Sequence, residues 1–88
     1  MKVSHKNSTA LFVLEKDIIG DESILFQNEI KNSVANGQKS FCFQLAGIQD
    51  MDPPAICALM ALKKQMGDVI EIQGDDNDMV FDVLLRSF

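Results

Sequence analysis

Apolar positions along this chain change period several times, and each change marks the edge of an element. Residues 10–14 are apolar without a break (Ala10, Leu11, Phe12, Val13, Leu14), which predicts an interior strand covered on both faces. The charged triplet Glu15, Lys16 and Asp17 ends it, and Ile18 with Ile19 predicts a short second strand closing at Gly20. Asp21 is expected to cap a helix over 22–35, because Phe26, Ile30 and Val34 recur every fourth residue and stack on one face. Asn36 and Gly37 supply the left-handed stop. Over 39–45 the pattern becomes strict alternation. Phe41, Phe43 and Leu45 point one way and Ser40, Cys42 and Gln44 the other, as in a strand with one covered face.

The next helix has the sharpest start in the chain. Asp52 suits the capping position, and Pro53 suits the first helical one, where its missing N–H costs nothing. Pro54 loses nothing either, since the second N–H of a helix has no acceptor within it. Ile56, Leu59, Met60 and Met66 are expected to line its apolar side, Lys63 and Lys64 its last exposed turn, and Gly67 its end. A strand over 69–73 follows. Asp75, Asp76 and Asp78 then crowd the start of a third helix, where carboxylates favour the positive end of the dipole, with Val80, Val83, Leu84 and Phe88 as its apolar face.

The expected order is β-β-α-β-α-β-α. Strands separated by helices imply parallel pairing through right-handed crossovers, while the first two strands are too close for that and pair antiparallel. The fold class is therefore α/β: a small mixed β-sheet of about four strands with three helices, packed mainly on one face. Residues 1–88 form a single domain, with 1–8 as a flexible N-terminal segment or an edge strand.

Composition narrows the function. The chain is 47% hydrophobic with two prolines and five glycines, which excludes a disordered or collagen-like chain. Thirteen acidic residues against eight basic ones give a net charge of −5, a field that repels phosphate backbones and anionic lipid, so neither nucleic acid nor a membrane surface is expected as partner. The longest stretches without charge, 40–49 and 53–62, are half the length of a membrane span. With no apolar run long enough for a signal peptide near Met1, the expected location is cytoplasmic. Cys42 and Cys57 sit in apolar segments and are expected to be buried free thiols.

An enzyme is not expected. The single histidine, His5, lies in a polar N-terminal stretch expected to be mobile, so no Ser–His or Cys–His pair has a well-placed base. Gly20, Gly37, Gly47, Gly67 and Gly74 each end an element and form no phosphate loop. Asp50 and Asp52 could in principle hold a cation or share a proton, but loop solvation and helix capping account for them better. The cluster around Asp75 lacks the glycine and distal glutamate of a calcium loop. No metal and no cofactor are implied.

The central stretch is more informative. Phe43-Gln44-Leu45-Ala46-Gly47-Ile48-Gln49-Asp50-Met51-Asp52-Pro53-Pro54-Ala55-Ile56-Cys57-Ala58-Leu59 resembles the signature of STAS domains, the family of anti-sigma factor antagonists. There, a strand ending in an aspartate, leucine, serine, glycine run leads into aspartate, serine, serine, glycine at a helix start. By pattern the likeness covers residues 11–85.

In that family a serine or threonine after the motif aspartate is often phosphorylated by a partner kinase, which switches partner binding. The resemblance places Asp52 at the motif aspartate, with Pro53 and Pro54 where the serines would stand. Ala55 and Cys57 replace the glycines, and Gln44 and Ala46 replace the aspartate and serine on the preceding strand. No serine, threonine or tyrosine occurs between Phe41 and Arg86. A phospho-acceptor is therefore absent from the expected position. The chain also stops at Phe88, where family members often continue with a further short strand and helix.

Two classes of function follow from the resemblance. The first is a non-catalytic regulatory module that binds a protein partner, an anti-sigma factor or kinase-like ATPase, without phospho-control. The second is a soluble STAS subunit of an ABC-type lipid or anion transport system, or a nucleotide-binding STAS domain. A homodimer is compatible with either. The expected partner-binding residues are Asp50, Met51, Asp52, Pro53, Pro54, Cys57, Ala58 and Ala61. They are small or apolar around an adaptable methionine. Burial of Cys57, Ala58 and Ala61 beneath the sheet would make them core instead.

Overall fold

A computed structural model describes residues 1–74, so the helix expected after Asp75 lies outside the described residues. The elements are β1 (Lys2–Lys6), β2 (Thr9–Leu14), α1 (Asp21–Ala35), β3 (Ser40–Leu45), α2 (Pro53–Met66), a 3₁₀ turn (Gly67–Val69) and β4 (Ile70–Gln73). They build an α/β fold on one four-stranded mixed sheet in the order β1-β2-β3-β4. β1 is antiparallel to β2, and β2, β3 and β4 run parallel.

The antiparallel pair is not the one expected. Lys2–Lys6 supplies the edge strand, turning back through Asn7 and Ser8, both at positive φ (52° and 72°). His5 is accordingly held, its Nε2 lying 3.1 Å from the Ser33 hydroxyl. Ile18 makes only an isolated parallel bridge to Met51, so the expected strand at Ile18 and Ile19 is a single contact within a loop. Two β-branched residues gave a strand signal, but one pair of backbone bonds is all the geometry allows: Ile18 N–H donates to Asp50 O and Asp52 N–H to Ile18 O.

Register explains the core. Ala10 lies beside Phe41 and Phe41 beside Ile70, and Phe12 beside Phe43 beside Ile72, so alternate residues of three strands share one face. That face is buried from Ala10 to Leu14 and from Phe41 to Leu45, and Phe26, Ile30, Ala55, Leu59 and Leu62 close over it. Both helices lie there, since both are crossovers between adjacent parallel strands. Phe12 is the hub, with ring centroids 4.9 Å from Phe43, 5.9 Å from Phe26 and 6.4 Å from Phe41. Leu11 and Val13, expected to be covered, are half-buried on the opposite face. The unbroken apolar run thus belongs to a strand with one fully covered side.

Helix faces need two corrections. On α2 the buried positions are Ala55, Leu59 and Leu62, whereas Met60 is 41% exposed and Ile56 and Met66 sit at the margin. Leu62 and Met60 differ by two residues, about 200° around the helix, so the face that buries Leu62 leaves Met60 toward solvent. On α1, Ser23 and Ser33 join Phe26 and Ile30 among the buried residues.

Candidate functional site

The loops after β2 and β3 meet at one end of the sheet and are laced together by carboxylates. Asp17 accepts from the backbone N–H of Gln49 at 2.7 Å and of Asp50 at 3.2 Å. Asp50 accepts from the Met51 N–H at 2.9 Å. Asp52 then does two jobs. Its Oδ1 caps α2 by accepting from the Ala55 N–H at 3.2 Å, with Pro53 and Pro54 at the first two helical positions as expected. The same carboxylate reaches α1: the Ser23 hydroxyl donates to Oδ1 at 2.6 Å and the Gly20 N–H to Oδ2 at 3.2 Å.

Asp21 does not cap α1 as expected: it is the first residue of the helix, and the start of α1 has no side-chain cap. Gly20 occupies the capping position at φ 56°, which glycine adopts without strain, and no side chain of its own neighbourhood bonds the helix end. One carboxylate from across the fold therefore serves the starts of both helices. The Ser23 hydroxyl is the main reason that the Asp52 carboxyl is held below the usual carboxylate range. The Ala55 and Gly20 N–H groups help, and partial desolvation opposes them.

Of the eight expected partner-binding residues, the structure gathers four. Pro54, Cys57, Ala58 and Ala61 form one wall of a groove of about 620 Å³ between α1 and α2, joined by Leu62 and Gln65. The opposite wall comes from α1: Gln27, Ile30, Lys31, Val34 and Ala35. Cys57 and Ala61 are exposed and Ala58 half-buried, so these residues do not pack beneath the sheet, and Cys57 is not the buried thiol expected. Cys42 is half-buried on the other face of the sheet, where burial and then Glu71 push its thiol up. Pro53 is exposed at the head of α2 and Asp50 exposed in the loop before it. Met51 is the exception. It is 4% exposed and part of the core, so it offers no adaptable surface.

The α1 wall was not expected as part of any site. The spacing of Gln27, Lys31, Val34 and Ala35 is helical and visible in the sequence, but only the packing of α1 beside α2 makes it a groove wall. Ile24 extends this stripe toward the start of α1 and is 57% exposed. Lys31 is the one charged residue in the lining, and no carboxylate stands there among the described residues. Nor do the described residues contain a group of three histidine, cysteine or carboxylate side chains able to hold a metal ion, or a helix long and apolar enough to cross a membrane. No protein-family model matches the chain, and the comparison with curated proteins finds no match.

Proposed function

We propose that this chain is a non-catalytic, STAS-like regulatory module that binds a protein partner in the cytoplasm, without phospho-control, through the α1–α2 groove and the head of α2. The observation that carries the reading is the groove itself: Pro54, Cys57, Ala58 and Ala61, singled out on the central motif, line an apolar furrow with small side chains. Small residues let a partner's backbone approach, and an apolar floor with a polar rim is the usual build of a docking surface. Asp52 supports the reading in another way. Its carboxylate is engaged by the Gly20 N–H, the Ser23 hydroxyl and the Ala55 N–H, so the helix start is held in place by bonds internal to the chain. With Pro53 and Pro54 beside it, this end of α2 serves as a fixed surface that carries no hydroxyl of its own, and the Ser23 hydroxyl against it is buried and bonded to Asp52.

Affinity capture from the native cell tests the proposal when the wild-type chain is run beside Ala61→Glu. Retention of a kinase-like ATPase of the anti-sigma type by the wild type, and its loss with the folded variant, is the expected outcome. Capture of an ABC-type permease subunit instead, or capture indifferent to position 61, would overturn it.

A further inference from the structure

Among the described residues, opposite charges gather at opposite ends of the helices. α1 and α2 each run from the C-terminal end of one parallel strand to the start of the next, so both begin at the same end of the sheet. Glu15, Asp17, Asp21, Glu22, Asp50 and Asp52 cluster at that end, against Lys2, Lys16 and the terminal amine, two of which already pair with Glu15 and Glu22. At the other end, among the described residues, Lys6, Lys31, Lys39, Lys63 and Lys64 outnumber Asp68 and Glu71, and Asp68 pairs with Lys63. The apolar groove runs between these two poles.

We propose that the groove is covered by a second copy of this chain, paired about a two-fold axis that sets the helices of one copy antiparallel to those of the other. A two-fold axis crossing the helices turns the second copy end for end, which brings each acidic pole to the partner's basic pole. A parallel pairing would set like charge on like. Side chains nearest such an axis meet their own copies and must be small. Cys57, Ala58 and Ala61 are small, lie near the middle of α2 and line the groove. Ile24, exposed at the acidic end of the α1 stripe, then faces the basic end of the partner's groove, where Ala35 leaves room. Knob and hole stand at opposite ends of one surface, as self-complementary pairing needs. The pairing does not depend on what other protein binds; because it uses Ala61, a dimer and the complex proposed above exclude each other.

Sedimentation equilibrium of the purified full chain, from micromolar to millimolar concentration, tests this. The expected result is reversible association to twice 9.8 kDa, weakened by salt. Ala61→Glu should sediment as a monomer with an unchanged far-UV circular dichroism spectrum. Two charge-reversed chains sharpen the test: Lys31→Glu with Lys64→Glu, and Asp21→Lys with Asp50→Lys. Each should be monomeric alone and associate when mixed. A wild type that stays monomeric throughout, a dimer that survives Ala61→Glu, or reversed chains that fail to associate on mixing would each overturn the proposal.

Discussion

Two alanines on α2, six residues apart, separate core from surface. Ala55 is fully buried in the core, whereas Ala61 is exposed in the groove. Placing a glutamate at each position therefore asks opposite things of the fold. At Ala61 the carboxylate stays in water, and the expected change is within about 0.5 kcal/mol, as for surface substitutions generally. For a chain of this size that moves Tm by roughly 2–4 °C. At Ala55 the side chain overfills a closed site and brings a charge with no partner, each of which alone costs about 1–3 kcal/mol or more. Net stability for 88 residues is about 4–13 kcal/mol, so Ala55→Glu should remove much or all of it. The chain has no tryptophan or tyrosine, so urea unfolding should be followed by circular dichroism rather than fluorescence. Tolerance of Ala55→Glu, or unfolding by Ala61→Glu, would mean that α2 is rotated and that the groove wall is wrongly assigned.

Phe12→Ala should destabilise by about 3–5 kcal/mol, because the ring is fully buried against three others, and a loss under about 1 kcal/mol would contradict that hub. The Asp52 carboxyl titrates lower folded than unfolded, so its stabilisation is full above the ordinary carboxylate value of about 4 and is lost as pH falls through the folded value. The stability gap between wild type and Asp52→Asn should accordingly hold steady from neutral pH down to about 5 and close in more acid solution. A gap that widens on acidification would reverse the sign of the argument. Ser23→Ala removes the principal cause of that lowered value, so carboxyl titration by NMR should find Asp52 shifted upward, and no movement would place the cause elsewhere.

Local signals were enough for most elements. Strict alternation in 40–45 is a one-sided strand in the structure, and the Asp52, Pro53, Pro54 order is a capped helix start. Where the sequence misled, the deciding interaction was distant or the signal lay in few residues. Lys2–Lys6 has one apolar residue, Val3, so its sequence suits a flexible segment or an edge strand alike, and pairing with β2 makes it the edge strand. The start of α1 has no side-chain cap and is tied through the Gly20 N–H to a carboxylate 32 residues away, which no local rule for Asp21 could reveal. Met51 looked like surface beside Asp50 and Asp52, yet the Ile18 bridge draws it inward. The candidate site divides in the same way. Small residues at 54, 57, 58 and 61 were legible as one helical face, but its meaning depends on α1 standing beside it rather than over it.

The most direct test of the docking surface is amide hydrogen exchange on the chain alone and in complex with its captured partner. Protection gained over residues 27–35 and 54–65, on both walls of the groove, is the result predicted here. Protection confined to the opposite face of the sheet, around Leu11, Val13, Cys42 and Gln44, with the groove unchanged, would contradict it.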